Sequence, residues 1–259
     1  MNILISNDDG ITAKGIQFLT CAIRQAGHTV FVFAPSRNRS AISNAITMCN
    51  SFSIECVGEK EWSYSGTPAD CVIAAFRSGL IPEKIDAVFA GINDGANLGT
   101  DILYSGTCAV ARQGALYNVP SVALSIDFSE VQSDEVCCDK ASYYRRMADF
   151  AAKNIDALVA LAKKMENRAF VNVNAFAVEK WRGVRVAKCL ARRCYCNDGV
   201  RIFEGDDGML SAEFIGNNPE TQNACESDFA LCEEGFISVS CVQVEPNCYE
   251  VLDDFHFSL

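Results

Sequence analysis

The sequence predicts an α/β fold with a mostly parallel sheet flanked by helices. Three observations predict it. A short apolar run, Ile3-Leu4-Ile5, opens the chain and breaks at once into Asn7-Asp8-Asp9-Gly10, as a buried parallel strand does when it delivers a polar loop to the sheet edge. Strand and helix signals then alternate through the first half of the chain, which is the doubly wound pattern with right-handed crossovers. With 259 residues, 49% hydrophobic and 21% charged, the chain can also bury a large core as one domain with an elaboration or as two unequal ones.

The elements follow in order. After the acidic turn a helix starts at Gly15-Ile16, carries Ile16, Leu19, Ala22, Ile23 and Ala26 on one face, and ends at Gly27. Residues 29–33 form a second strand closed by Ala34-Pro35. Ser65-Gly66-Thr67-Pro68 places a capping hydroxyl before proline at the first helical position. Residues 87–90 are a further buried strand, Ser105-Gly106-Thr107 opens another helix, and residues 121–125 return to strand. Tyr143, Met147, Phe150, Ile155, Leu158, Ala162 and Met165 give the clearest helical periodicity, read as scaffold without chemistry. Residues 170–174 are strand again. Beyond Trp181 short alternating runs (184–186, 201–203, 210–214 and 237–240) suggest antiparallel hairpins, either an extension of the core or an assembly arm. The division expected is a Rossmann-like core over 1–181 and a C-terminal hairpin region over 182–259, packed on the core.

Charge and cysteine content narrow the function classes. A net charge of -11 and a pI near 4.7 argue against a nucleic-acid polymer or an anionic membrane as partner. No apolar run approaches the ~18 residues of a membrane span, and no basic segment precedes an apolar core at the N-terminus, so a cytoplasmic protein is expected. The 14 cysteines include no C-x-x-C, and only His28 and His256 could join them, so zinc-ligand spacing is absent. Free thiols are expected, several of them (Cys71, Cys108) as small buried hydrophobes.

Four loops at strand ends or helix starts carry oxygen ligands or phosphate-type groups. Asp8 and Asp9 repel each other unless a cation lies beside them, and such hard oxygens suit Mg²⁺, Mn²⁺ or Ca²⁺ better than zinc; a solvated turn is the alternative. Ser36-Arg37-Asn38-Arg39-Ser40 brings arginines and hydroxyls to the same edge, either for phosphate or as an exposed basic loop. Gly91-Ile92-Asn93-Asp94-Gly95-Ala96-Asn97-Leu98-Gly99 spaces three glycines four apart, for close backbone approach or merely a tight turn. Tyr104-Ser105-Gly106-Thr107 opens a helix, where free N–H groups favour phosphate and also ordinary capping.

Together these motifs resemble the SurE family, metal-dependent survival-protein nucleotidases that remove phosphate from nucleoside 5′- and 3′-monophosphates. The matching residues are Ser6-Asn7-Asp8-Asp9-Gly10 with Gly15-Ile16, Ala34-Pro35 before Arg37-Asn38-Arg39-Ser40, and Ser65-Gly66-Thr67-Pro68 with Asp70-Cys71. Gly91-Ile92-Asn93 with Gly95, Asn97 and Gly99, then Tyr104-Ser105-Gly106-Thr107, Ser125-Ile126-Asp127 and Asp228-Phe229-Ala230 before Glu234-Gly235-Phe236 continue the series. The resemblance implies a Rossmann-like core, a C-terminal β-hairpin arm and a homodimer or homotetramer. It implies one divalent cation, Mg²⁺ or Mn²⁺, on Asp8, Asp9, Ser40 and Asn93, and substrate phosphate on Asn97, Ser105, Gly106 and Thr107. The chain departs from relatives at Ile11-Thr12-Ala13-Lys14 and over Arg192-Arg193-Cys194-Tyr195-Cys196-Asn197.

The reaction expected is phosphomonoester hydrolysis by metal-activated water, with Asp8 and Asp9 catalytic and Asp9 as a covalent nucleophile the lesser alternative. Asp127 is a candidate supporting carboxylate or a strand-end cap. Tyr104 is placed to stack on a base or to pack. Competing functions are a short-chain polyphosphatase, another phosphomonoesterase, and a noncatalytic nucleotide or phosphate sensor.

Overall fold

Ile3, Leu4 and Ile5 are fully buried because the strand they form, β1 (Asn2–Ser6), lies inside a nine-stranded sheet with both faces covered. The computed structural model describes residues 1–129, 133–166, 168–194, 199–205, 208–215 and 219–245, the side chains of 133–139 excepted. In chain order, β1 leads to α1 (Lys14–Gln25), β2 (Thr29–Pro35), β3 (Ile54–Gly58), β4 (Glu61–Tyr64), α2 (Pro68–Arg77) and β5 (Ala87–Asp94). A 3₁₀ turn (Gly99–Leu103), α3 (Gly106–Leu116), β6 (Ser121–Asp127), α4 (Ser133–Lys153), α5 (Ile155–Lys164) and β7 (Ala169–Phe176) follow. The C-terminal third holds β8 (Val184–Val186), β9 (Arg192–Cys194), β10 (Val200–Glu204), β11 (Leu210–Phe214), β12 (Glu220–Gln222), α6 (Asp228–Glu233) and β13 (Ile237–Gln243).

The sheet runs β3-β4-β2-β1-β5-β6-β7-β13-β8, parallel throughout except where β3 meets β4 and β13 meets β7. It is an α/β fold with a mostly parallel, helix-flanked sheet. Side-chain alternation sorts the core into two layers. Ile3, Ile5, Val30 and Val32 pack with α1, α4 and α5, while Leu4, Phe31 and Phe33 pack with α2 and α3. After β1 the chain turns first toward β2 and later toward β5, so the crevice at the carboxyl ends of β1 and β5 is the topological switch point, where such sheets take ligands.

Local chemistry explains the helix starts. Thr67 and Asp70 form a reciprocal capping box with Pro68 inside the first turn, and the Ser105 hydroxyl accepts the Cys108 N–H at 2.9 Å. Four features differ from the sequence-based expectation. The long helical stretch is two helices that part at Asn154, whose φ of -114° leaves the helical range while its side chain donates to the Phe150 carbonyl at 2.8 Å. The strand expected to end at Ala90 continues to Asp94, with its register to β6 shifted between Ala90 and Asn93. The runs beyond Trp181 are not all hairpins: β10 and β11 pair antiparallel, but β8 lies parallel to β13, itself part of the main sheet beside β7. A hairpin the alternation did not reveal, β3–β4, forms the opposite edge.

Cys71 and Cys108 are fully buried and fill space in the α2/α3 layer. Among the described residues no helix is long and apolar enough to cross a membrane. His256 and Tyr195-Cys196-Asn197 lie outside the described residues.

Candidate metal and phosphate site

The acidic turn is built by its neighbours. Asn7 closes it, donating from Nδ2 to the Gly10 carbonyl at 2.9 Å and accepting the Gly10 N–H at 3.3 Å, while Gly10 takes a φ of +106° that a side chain would strain. The chain after β2 is tied alongside, since the Arg39 N–H donates to the Asp8 carbonyl at 2.7 Å.

Asp8 points inward and is 3% exposed. Its Oδ1 accepts the Thr107 hydroxyl at 2.5 Å, and the same hydroxyl lies 3.3 Å from Oδ1 of Asn93. One side chain at the start of α3 thereby joins the end of β1 to the end of β5. Asn93 is oriented for this, because its amide NH₂ donates to the Gly95 carbonyl at 2.8 Å and leaves its oxygen facing the site. Gly106 permits the approach. A Cβ there would stand 2.7 Å from the Asp8 Cβ and 2.8 Å from its Oδ2.

Burial pushes the Asp8 carboxyl up from its ordinary range, against hydrogen bonds from the Thr107 side chain and the Thr107 and Gly106 backbone that lower it. Asp9 is half-buried, and burial and then the adjacent Asp8 charge push its pKa up to about 6. Its oxygens meet the Asn38 amide at 3.5 Å and the Asp94 N–H at 3.4 Å. Beside it lies a cleft of about 220 Å³ lined by Ala13, Lys14, Asp94, Lys140 and Tyr144, in which Lys140 pairs with Asp94 at 2.8 Å.

The other expected ligands are placed as follows. Ser40 is exposed, and its N–H donates to Oδ1 of Asn38, the residue that reaches Asp9. Asn97 is buried in an amide ladder: its Nδ2 donates to Ser125 Oγ at 2.8 Å, its N–H to Asn174 Oδ1 at 2.8 Å, and its carbonyl accepts from Asn172 and Asn174. Ser105 serves as the cap of α3, so its hydroxyl is already engaged. Asp127 caps its own strand end, accepting the Ser129 N–H at 2.8 Å. Arg39 turns its guanidinium onto the Ser65 carbonyl at 2.6 Å rather than into the crevice.

Two carboxylates, an amide oxygen and nearby hydroxyls form an all-oxygen set suited to a hard dication. Among the described residues no group of three or more His, Cys, Asp or Glu is arranged to hold a metal, so a cation here depends on the neutral oxygens as well. Burial drives both carboxyls toward protonation, the Asp8 charge adds to this at Asp9, and a dication beside the pair would relieve both.

The model of the family described as Survival protein SurE matches residues 3–195, well over half of the chain. The chain belongs to the SurE family. Full-length relatives agree. A protein named 5′-nucleotidase SurE from Acinetobacter baumannii (strain AYE) is 34% identical over 264 residues, covering 100% of both chains. One named 5′/3′-nucleotidase SurE from Photorhabdus laumondii subsp. laumondii is 34% identical over 252 residues, covering 96% of this chain and 92% of its own. The crystal structure of SurE protein from Aquifex aeolicus superimposes with a TM-score of 0.75 at 27% identity, covering 95% of each chain.

Sequence reasoning missed how this SurE chain supports Asp9. Asn38 and Asp94 sat inside loops already singled out, and their reach to Asp9 depends on loop geometry. Lys140 carried no signal, because its helix was legible only as scaffold.

Proposed function

We propose that the chain hydrolyses nucleoside 5′- and 3′-monophosphates to nucleoside and phosphate, in the cytoplasm, with one divalent cation, Mg²⁺ or Mn²⁺. Asp8, Asp9, Ser40 and Asn93 would hold the cation, and Asn97, Ser105, Gly106 and Thr107 the substrate phosphate. The observation that carries this is the Thr107 hydroxyl bonded to Asp8 and facing Asn93, at the start of a helix and at the sheet's switch point. The nucleotidase names of full-length relatives support it.

A bound dication supplies a low-pKa water and offsets phosphoryl charge. The protein's own groups do the rest. Asp8 and Asp9 provide the negative charge that selects a cation, and Asp9, the less buried of the two, is placed to orient the attacking water. Gly106 and Thr107 stand at the positive end of α3 with their N–H groups turned toward the Asp8 carboxylate, and the helix end stabilises charge on phosphoryl oxygens placed beside it. Asn97 is fixed in place by its bonds to Ser125, Asn172 and Asn174.

The deciding experiment is a phosphate-release screen over AMP, 3′-AMP and short polyphosphates, with Mg²⁺ or Mn²⁺ and after exhaustive chelation. Release from the monophosphates only with metal is expected. Full activity after chelation would contradict the metal assignment, preference for polyphosphate would change the substrate, and binding without release would make the protein a sensor.

We also propose that the C-terminal region, over residues 182–259, carries an assembly arm. The β10–β11 hairpin exposes Leu210 (73%) and Phe214 (84%) along with Val200 and Ile202, and a lone hairpin is marginal in water. A second copy of the chain, in a homodimer or homotetramer, would cover them. Replacing residues 199–215 with a short turn should lower the mass measured by light scattering; an unchanged mass would exclude the arm from assembly.

A further inference from the structure

The base of the arm is fastened to the segment that delivers the start of α3. In the 3₁₀ turn the Asp101 carbonyl accepts the N–H groups of Tyr104 at 2.9 Å and Ser105 at 3.2 Å, so Asp101 shapes the turn that ends at the helix cap. Its carboxylate pairs with Nη1 of Arg193, on β9, at 2.7 Å, with side chains 7% and 12% exposed. The Arg193 N–H donates to the Thr100 hydroxyl at 2.8 Å, and that hydroxyl donates back to the Arg193 carbonyl. Asp228 accepts from Gly99 N–H at 2.7 Å and Ala191 N–H at 2.8 Å, joining the same two segments. Gly99 is pressed so closely on Ala191 that a Cβ would come within 2.2 Å of its carbonyl oxygen. The Arg193 guanidinium also lies over the Phe229 ring, 5.0 Å from its centre.

A buried ion pair is poor value as a stabiliser, since apolar side chains of similar volume commonly do as well. What this pair does is fix geometry: it holds a turn four residues ahead of the helix cap against a strand from the far end of the chain. We infer that Arg193 is a positioning residue for phosphate, holding the 3₁₀ turn through Asp101 so that the Ser105 cap and the start of α3 keep their place. The inference rests on the α3 start being the phosphate site. It makes the arm's base part of what sets substrate affinity.

The test uses the full-length protein with Mg²⁺ and two variants. Arg193→Lys keeps the charge; Asp101→Asn combined with Arg193→Gln removes both charges and strands neither. Affinity for inorganic phosphate is read by calorimetry, Mn²⁺ affinity separately, and KM and kcat with AMP. In the double variant, phosphate affinity should weaken and KM rise by about 10-fold, as misaimed contacts do. Its kcat should change less and its Mn²⁺ affinity should stay near wild type, while Arg193→Lys retains most of the phosphate affinity. Unchanged phosphate affinity in the folded double variant would overturn the inference, and so would a parallel loss of phosphate and Mn²⁺ affinity tracking a fall in Tm. Wild-type protein that binds phosphate yet releases none from AMP would overturn the proposed hydrolysis alone, leaving the phosphate titration to decide the role of Arg193. Wild-type protein that fails to bind phosphate would overturn both.

Discussion

Asp9→Asn should lower phosphate release from AMP by about 10³-fold while leaving the fold intact, the scale expected when a group acting on charge or protons at the reaction centre is lost. The same change should stabilise the metal-free protein at neutral pH. Asp9 titrates near 6 in the fold because burial and the Asp8 charge disfavour its ionised form, so the native state binds a proton more tightly than the unfolded chain does. The contribution of Asp9 to the stability of the metal-free wild type therefore falls as pH rises from about 4 to about 6. Asparagine removes that loss, so the variant should gain ~1–3 kcal/mol above pH 6, with the gain fading below pH 4. Calorimetric melts across pH 3.5–8 in chelator check the sign. A variant that is less stable than wild type at pH 7, or one that turns over normally, would contradict the role given to the Asp9 charge.

Gly106→Ala should cost about 10²-fold in kcat/KM, because the start of α3 and Asp8 cannot both keep their places. The added methyl would lie 2.7 Å from the Asp8 Cβ, 2.8 Å from its Oδ2 and 3.0 Å from the Pro68 Cγ. Inside a helix, glycine to alanine ordinarily stabilises by up to ~1 kcal/mol. Here overpacking against a buried carboxylate should reverse the sign, at ~1–3 kcal/mol lost. Urea unfolding and steady-state kinetics read the two effects. An active, more stable variant would show that the close contact between α3 and Asp8 has no functional role.

Features governed by local chemistry were legible in the sequence. The apolar run ahead of Asp8, the hydroxyl caps at Thr67 and Ser105 and the glycine spacing at Gly91, Gly95 and Gly99 each act within a few residues. They located the loops at the strand ends and helix starts. The pairing of Thr107 with Asp8 joins residues 99 apart in sequence, and no spacing rule encodes it; the helix start read only as a phosphate site or a cap. The Asn154 break carries no periodicity signal, because the apolar period continues in phase through it. Alternation likewise marks β8 as a strand and leaves its direction and partner open. Arg193 and Asp101, 92 residues apart, were a charged residue in an atypical loop and one in a turn until the fold joined them.

A crystal soaked in Mn²⁺ and measured at the manganese absorption edge tests the central claim most directly. We expect one anomalous peak among the side-chain oxygens of Asp8, Asp9, Ser40 and Asn93. A crystal that shows no peak there, with both carboxylates turned to solvent, would contradict the account.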